Sequence, residues 1–419
     1  MKILVIASQL PYPFDNGALA RLYNLYSRLG QKHQITWVCP IWDGTEGNIA
    51  GAEQFVERVI PLPRSEERPL PTRGWRYLLL RLVAPFHWER LFVYCFGYVS
   101  SPGMYWMIQT EERVNLIKRL AGETKFDVIM CEFEGNAELV SPDIRVPKAI
   151  MTHNVQSMLY KRRSVYGMTA EDRLFYWPEY WKVKAYERKN YAQYNLGIAV
   201  SKEDRKTIQS HVPGLRVENI PNGVDIDFYR PSDAALEPKT IVYVGNYSYP
   251  PNEDAALYFC DEILPLIRAK IPDIKAVFVG KNPPAKLSEY AGVETTDFVD
   301  DIRPHMAKAA AVFVSLRVGG GTRLKILDAL AMGKAIVSTS LGAEGIDLRN
   351  GEDILIGDTP EEFAGHVAAV IQSPDLRRKL EVNGRKVAEQ KYDWDILATN
   401  LDRYLHEIVA AYPTHGGKA

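Results

Sequence analysis

The chain lacks an excess of charge of either sign. Its 419 residues include 51 basic and 52 acidic side chains, so the formal net charge is −1. No overall positive field is available to attract a nucleic acid, and a polyanionic partner would need a local basic patch. The composition, 46% hydrophobic and 25% charged, is typical of a globular protein, and the length suffices for two or three domains.

Cysteine is scarce and scattered. The four cysteines, Cys39, Cys95, Cys131 and Cys260, lie far apart and show no metal-binding spacing. This usage indicates a reduced, cytoplasmic setting and gives no support for a metal site. The apolar run 3–7 is too short for a signal peptide and predicts a first buried strand.

Long hydrophobic runs are also lacking, with one partial exception. Residues 91–110 carry no charged side chain, and a run of about that length could span a bilayer. Ser-Ser-Pro-Gly at 100–103 interrupts it, which favours two short buried or interfacial helices over a membrane span.

The dinucleotide fingerprint is missing as well. No strand candidate is followed by Gly-x-Gly-x-x-Gly with an acidic residue about 20 positions later. This absence disfavours an oxidoreductase that uses NAD or FAD.

Short apolar segments alternate with helical patterns along the chain, and the alternation restarts after residue 213. Such alternation predicts parallel, doubly wound sheets in two similar α/β domains. The strand candidates are residues 3–7, 35–39, 59–62, 126–131, 148–151, 196–200, 240–245, 276–280, 293–298, 312–316 and 335–338. The clearest helix candidates are residues 18–29, 254–269 and 396–411, and residues 234–238 form a linker candidate.

Three consecutive glycines, residues 319–321, lie where a strand candidate turns into a helical pattern. Glycines let backbone N–H groups approach an anion, and a helix N-terminus adds a positive dipole end. Arg323 and Lys325 follow, at a helix start that disfavours cations unless an anion lies nearby. The stretch predicts a cradle for a nucleotide diphosphate. The alternative is a flexible turn in which Lys325 pairs with Asp328.

Five stretches form a set that points to one family. They are the Gly17 loop, Met-Thr-His-Asn at 151–154, Ile-Pro-Asn-Gly-Val-Asp at 220–225, Val-Gly at 244–245, and the run 319–333 with Lys-Ala-Ile-Val after it. Together they resemble the retaining, nucleotide-sugar-dependent glycosyltransferases of the GT-B fold, specifically family 4 (group 1). The resemblance covers nearly the whole chain.

This resemblance implies an α/β, GT-B architecture with two Rossmann-like, doubly wound domains facing across a cleft. Residues 1–215 would form the acceptor-side domain and residues 240–390 the nucleotide-sugar-binding domain. Residues 216–239 would connect them, and residues 391–419 would form a helix that crosses back to the first domain.

The family's functional positions carry over to residues of both predicted domains. His153 would orient the donor sugar, Arg323 and Lys325 would stabilise the diphosphate, and Asp328 would accept the ribose hydroxyls. The donor-binding residues implied are Gly17, Gly245, Asn246, Gly319, Gly320, Gly321, Thr322 and Asp328. The leaving phosphate itself would assist the acceptor, so no protein nucleophile, metal or cofactor is implied beyond the nucleotide-diphosphate sugar.

Two departures from the family pattern concern the phosphate contacts. Gly320 and Asp328 stand where the family commonly has two glutamates. Residues 246–252 carry no cation, although many members have arginine and lysine there. We therefore expect Arg323 and Lys325 to take over the phosphate contacts.

The acceptor candidates are Glu132, Glu134 and Arg21. The two glutamates follow a strand candidate, two positions apart, and would share a side on extended backbone. The alternative for all three is a solvated charge on a loop or helix. For His153 the alternative is a role in packing or capping, and for Gly17 it is a simple turn. Aromatics interleaved with cations at 75–107 and 160–191 indicate core packing, sugar stacking or a membrane interface.

These observations predict a cytoplasmic glycosyltransferase of surface polysaccharide or glycolipid assembly. Its partners would be a nucleotide-sugar donor and a saccharide or lipid-linked acceptor, with no nucleic acid. A peripheral contact at the inner membrane face would use the N-terminal domain. The alternatives are a nucleotide-sugar epimerase on the same fold and a non-catalytic sugar-nucleotide-binding scaffold.

Overall fold

The packing of the chain divides it into two compact units. Unit 1 contains Met1–Ile220 and Ala398–Ala419, and unit 2 contains Pro221–Leu397. The computed structural model describes residues 1–13, 17–42, 44, 47–63, 111–166, 170–319 and 321–413. The uncharged run 91–110, the aromatic segment 75–107 and Gly320 lie outside the described residues.

Unit 1 is built on a seven-stranded sheet in the order β3-β2-β1-β4-β5-β6-β7, and its neighbouring strands are parallel. The strands are Lys2–Ile6 (β1), Gln34–Pro40 (β2), Arg58–Leu62 (β3), Val128–Glu132 (β4), Lys148–Met151 (β5), Leu196–Ala199 (β6) and Val217–Asn219 (β7). The described helices are Gly17–Gly30 (α1), Asn48–Ala52 (α2), Glu111–Glu123 (α3), Gln156–Tyr166 (α4), Ala170–Tyr191 (α5) and Lys202–His211 (α6). A 3₁₀ helix, Glu134–Leu139, follows β4.

The core of unit 1 follows from the apolar pattern of its elements. Every residue of β4 and β5 is buried, as expected for central strands of a parallel sheet covered on both faces. The α1 helix buries the stripe that includes Leu22, Tyr26 and Leu29. Cys39, Cys131 and Cys260 are buried free thiols.

Unit 2 contains a six-stranded sheet in the order β10-β9-β8-β11-β12-β13, again with parallel neighbours. Its strands are Glu237–Val244 (β8), Lys275–Val279 (β9), Val293–Thr295 (β10), Ala309–Val314 (β11), Ala335–Ser338 (β12) and Leu355–Ile356 (β13). Its helices are Pro250–Tyr258 (α7), Leu264–Lys270 (α8), Arg303–Lys308 (α9), Leu324–Ala331 (α10), Pro360–Gln372 (α11) and Pro374–Val387 (α12). Phe259 stacks on Phe313 in its core, with ring centroids 4.0 Å apart.

The helix predicted at 254–269 is present with an irregular turn, and two other predicted boundaries in unit 2 were wrong. The helix expected at 254–269 is α7, a π-helical turn at Phe259–Ile263, and α8. Pro265 explains the interruption, because it lacks the N–H that an α-helix needs for its bond to the preceding turn. The strand expected at 293–298 stops at Thr295, and the Asp297 side chain then accepts the N–H of Phe298. The linker candidate 234–238 overlaps the start of β8.

The last helix, Trp394–Ala411 (α13), begins in unit 2 and continues into unit 1. Its residues from Ala398 onward belong to unit 1, where Leu401 and Leu405 are fully buried and Glu407 forms an ion pair with Arg216 at 2.5 Å. Within the ranges that the structure describes, we find no helix whose length and apolar character would let it cross a bilayer.

Candidate functional site

The donor residues predicted in unit 2 meet at one edge of its sheet. The chain builds this sheet outward from β8 through β9 to β10, then returns to β11 on the other side of β8. Open α/β sheets bind ligands outside the carboxyl ends of the strands at such a reversal point. Gly245 and Asn246 follow β8 directly, and the glycine loop 319–321 follows β11.

The glycine loop needs glycine at two positions for conformational reasons. Gly319 has φ of 126° and Gly321 has φ of 80°, a backbone region that other residues seldom adopt. Helix α10 begins three residues later, at Leu324, so its free N–H groups lie next to the loop. The predicted strand–glycine–helix arrangement is therefore present, and Thr322 lies half-buried between the loop and the helix.

Lys325 of α10 contacts the first turn of α7 at this edge. Its Nζ donates a hydrogen bond of 2.9 Å to Oδ1 of Asn252 and lies 4.0 Å from the ring centroid of Tyr243. The Tyr243 hydroxyl donates to the same Oδ1 at 2.8 Å, and Asn252 Nδ2 donates to the Asn246 carbonyl at 2.9 Å. No local pattern in the sequence points to the roles of Asn252 and Tyr243.

Burial shifts the pKa values of two ionisable side chains at this edge. Burial, followed by the neighbouring Arg323, lowers the pKa of Lys325 to about 7. Burial raises the pKa of Asp328 to about 7, and Lys325 partly opposes that shift. Lys325 donates to Asn252, and the described residues give Lys325 and Asp328 no ion pair within 4.0 Å. The Lys325–Asp328 pair, which was the alternative prediction, is therefore not formed.

Arg323 is held at the junction of the loop and the helix. It is buried, precedes the first residue of α10, and donates from Nη1 to the Gly321 carbonyl. Arg317, four residues before the loop ends, is different, because it forms an ion pair of 2.7 Å with Asp254 and is partly exposed. Arg323 is thus hydrogen-bonded to the glycine loop, whereas Arg317 belongs to an ion pair at the surface.

The second group of predicted residues lies at the reversal point of the unit 1 sheet. Here β1 and β4 are neighbours, and Glu132 is the last residue of β4. Because Met151 of β5 pairs with Glu132, His153 lies just beyond the end of the next strand. His153 Nε2 lies 3.0 Å from Glu132 Oε2, and the Tyr26 hydroxyl donates to Oε1 of the same carboxylate.

Phe133 fixes the orientation of the His153 ring. The two rings stack with centroids 4.1 Å apart and planes 16° from parallel. Phe133 has φ of 65°, a left-handed conformation that is strained for a bulky residue and is concentrated at functional sites. With Nε2 used by Glu132, the structure gives His153 Nδ1 no hydrogen-bond partner among the described residues. The sequence contained no signal for the roles of Phe133 and Tyr26.

None of the three acceptor candidates is the solvated charge that the alternative prediction described. Glu132 is fully buried, and Arg21, also buried, donates from Nη2 to the Ile220 carbonyl at 2.7 Å. Burial lowers the pKa of Arg21 to about 10. Glu134 is buried and accepts from Gln156 at 2.6 Å, and its burial raises the pKa of its carboxyl above the usual range.

Two predicted donor residues lie at or beyond the borders of the described ranges. Gly17 is the exposed first residue of α1, and the loop residues 14–16 before it are outside the described residues. Gly320 is also outside them, so its replacement of the family's glutamate stays a sequence observation.

Comparison with known proteins agrees with this geometry. Residues 238–373, which include most of unit 2 and its donor-side residues, match the family model for Glycosyl transferases group 1. A sucrose-phosphate synthase structure from Thermosynechococcus elongatus superposes with a TM-score of 0.66 at 14% identity, over 98% of this chain and 100% of that one. This chain has the GT-B fold. The predicted GT-B fold class is confirmed, and the family match supports sugar transfer as the activity.

Other relatives of this GT-B chain span it to different extents. An uncharacterized 44.6 kDa protein in the cps region of Klebsiella pneumoniae is 22% identical over 94% of this chain and 96% of its own length. A phosphatidyl-myo-inositol mannosyltransferase of Mycolicibacterium smegmatis is 26% identical over 51% of this chain and 58% of its own length. Anabaena HepE in complex with UDP-glucose has a TM-score of 0.59 at 15% identity, over 97% of this chain and 100% of that one.

Proposed function

We propose that the protein is a retaining, metal-independent glycosyltransferase of family 4 that takes its sugar from a nucleotide-diphosphate donor. The observation that carries the proposal is the cluster of Arg323, Lys325 and the glycine loop at the carboxyl edge of the unit 2 sheet. The acceptor is a saccharide or a lipid-linked saccharide of glycan or glycolipid biosynthesis. The epimerase and the non-catalytic scaffold are not favoured by the comparisons.

The donor half of the mechanism belongs to unit 2. When the bond between the sugar and the diphosphate breaks, negative charge grows on the leaving phosphate, and fixed donors aimed at it lower the barrier. Arg323 supplies a planar fork and Lys325 a compact charge, and the N–H groups of the glycine loop and of α10 add to them. Asp328 accepts the ribose hydroxyls.

The network of unit 1 offers hydrogen-bonding groups to a sugar. Glu132 Oε1 accepts from Tyr26, and we assign Nε2 of His153 as the donor to Oε2. His153 Nδ1 is then the ring nitrogen that meets a sugar hydroxyl, and the stack on Phe133 holds its direction. No protein nucleophile takes part, because the leaving phosphate receives the acceptor proton on the face from which it departs.

The names of the relatives support the substrate classes. HepE has been solved with UDP-glucose, which is a nucleotide-diphosphate sugar. The Mycolicibacterium smegmatis mannosyltransferase is named for phosphatidyl-myo-inositol, which is a lipid-borne acceptor. We propose the same two classes, donor and acceptor, for this chain.

The test is a transfer assay with a panel of labelled nucleotide sugars, each with and without saccharide and glycolipid acceptors. Transfer to an acceptor, or slow donor hydrolysis without one, supports the proposal. An isomerised donor would instead indicate an epimerase, and binding without turnover a scaffold. The anomeric proton coupling of the product, measured by NMR, reports retention, and an inverted product would contradict the retaining mechanism.

We further propose that helix α5 rests on an anionic membrane surface. Trp177 and Trp181 are 61% and 52% exposed, and they lie one turn apart on one face of the helix. Arg173 and Arg188 are exposed on the same stripe, before and after the tryptophans. Tryptophan rings favour the headgroup level of a bilayer, and cations beside them attract anionic lipids.

Vesicle sedimentation tests this surface. The wild-type protein should bind vesicles that contain phosphatidylglycerol more tightly than pure phosphatidylcholine vesicles, and salt should weaken the binding. The variant Trp177→Ala/Trp181→Ala should bind at least tenfold more weakly. The control is Trp42→Ala, which removes a 57% exposed tryptophan outside α5 and should change nothing. Equal binding by both variants would contradict the role of α5.

A further inference from the structure

We propose that His33, Asp402 and His406 form a zinc-class metal site on unit 1, outside the donor-binding machinery. Asp402 and His406 lie one turn apart on α13, so their side chains share one face of the helix. His33 comes from the turn between α1 and β2, where its N–H donates to the Leu29 carbonyl at 2.9 Å. The site therefore joins segments 369 positions apart in the sequence.

The three candidate ligand atoms lie close together at hydrogen-bond distances, and His406 Nδ1 also lies 3.0 Å from the Asp402 carbonyl oxygen. Asp402 Oδ1 lies 2.7 Å from His33 Nε2 and 3.0 Å from His406 Nδ1, and the ligand atoms of the three residues lie within 4.8 Å of one another. Tetrahedral zinc with bonds of about 2.0–2.1 Å separates its ligand atoms by about 3.3 Å. Small side-chain movements would admit an ion between these atoms.

The ligand types indicate which ion fits. Two imidazoles and one carboxylate are a zinc set with one position left for water, whereas magnesium prefers oxygen ligands. The His33 and Asp402 side chains are 5% and 17% exposed, and the His406 side chain is 57% exposed. The site is therefore held firmly on one side and open to solvent on the other.

His33 has a contact on the far side of its ring. Nδ1 of His33 lies 3.1 Å from the Met1 amino nitrogen, and the rings of His33 and His406 are 5.6 Å apart. Because a protonated amine only donates, zinc at Nε2, which places the ring proton on Nδ1, would displace this contact. Because α13 carries two of the ligands and the α1–β2 turn carries the third, the ion would fasten the end of α13 to the rest of unit 1.

The experiment uses the full chain without a histidine tag, freed of metal with EDTA and buffer-exchanged. Calorimetric titration with ZnCl₂ should give one ion per chain, and magnesium at millimolar concentration should not compete. Saturating zinc should raise the unfolding midpoint by about 5–10 °C, the shift expected at about 100 times the dissociation constant. Absence of both the binding heat and the shift would overturn the proposal.

Variants separate this site from adventitious binding. His406→Asn changes an exposed side chain, so it should leave the fold intact while weakening zinc binding at least tenfold and removing the midpoint shift. His305→Asn, a half-buried histidine of α9 in unit 2, is the matched control and should bind zinc like the wild type. Unchanged zinc binding by His406→Asn would overturn the proposal. Transfer activity reports separately on the proposed function.

Discussion

Arg323 and Lys325 are the residues on which the proposed chemistry depends most. We expect Arg323→Ala and Lys325→Ala each to lower turnover by about 10²–10³, the usual scale for losing one preorganised donor at developing charge. Arg323→Lys should rescue poorly, because lysine cannot reproduce the planar fork. The measurement is the transfer rate at subsaturating donor.

The control for this pair is Arg317→Ala. Arg317 is a nearby cation whose ion pair with Asp254 is partly exposed, so its loss should cost little activity. Since Arg323 is buried, the unfolding midpoint of its variant must be measured alongside the rate. If both alanine variants kept more than about half of the wild-type activity, the phosphate role would be wrong.

The lowered pKa of Lys325 has its own measurable effect on ligand binding. At pH 8 a lysine with a pKa of about 7 is mostly neutral, and a neighbouring phosphate raises that pKa again. Binding of a nucleoside diphosphate at pH 8 should therefore take up about one proton. Asp328, whose pKa is also about 7, is mostly ionised at that pH and contributes little.

Calorimetry in two buffers of different ionisation enthalpy measures this proton. Lys325→Arg should still bind the diphosphate without proton uptake, because arginine stays charged throughout. Wild-type binding heats that do not depend on the buffer would contradict the assignment.

The lowered pKa of Lys325 also makes folding stability depend on pH. Between pH 7 and 10.5 the unfolded chain binds more protons than the folded chain. The contribution of Lys325 to the free energy of unfolding therefore rises with pH across that window.

Among the elements, α13 can be tested by its packing. Leu401 is fully buried in unit 1, so Leu401→Ala should lower the free energy of unfolding by about 2–5 kcal/mol. Arg403→Ala removes an exposed ion pair with Glu407 on the same helix and should cost less than about 0.5 kcal/mol. Urea unfolding followed by circular dichroism compares the two variants, and equal midpoints would show that α13 adds little to unit 1.

The elements also show what the sequence could predict and what it could not. The strand, glycine loop and helix around residues 319–331 follow from local signals, since apolar runs, glycines and a helical stripe are all visible in the chain. The irregular turn in the helix at 254–269 could also be predicted, because Pro265 is visible in the sequence. The partner of Lys325 could not, because Asn252 lies 73 positions away and only the parallel pairing of β8 with β11 brings α7 and α10 together.

The same limit applies to the unit 1 network. His153 and Glu132 were found from their positions after strand candidates, yet their mutual contact depends on the register that sets Glu132 beside Met151. Register is a property of pairing between distant segments. The burial of Arg21 was missed for a related reason, because its partner, the Ile220 carbonyl, is 199 positions away.

For the whole molecule, excess EDTA tests the metal-independent transfer and the zinc site separately. Transfer should continue within about twofold of the untreated rate, since cations and helix N–H groups stabilise the leaving group. The unfolding midpoint should fall if zinc occupied His33, Asp402 and His406. Complete loss of transfer, restored by Mg²⁺ or Mn²⁺, would contradict the metal-independent mechanism.

The division of the chain also sets an order for its synthesis. Unit 2 is continuous from Pro221 to Leu397, whereas unit 1 needs Met1–Ile220 together with Ala398–Ala419. A ribosome therefore delivers every residue of unit 2 before the first unit has its last helix. Until then the surface that buries Leu401 and Leu405 stays open on the nascent chain. A chain that stopped early would carry a finished unit 2 beside an uncovered apolar surface, which chaperones bind and proteases clear.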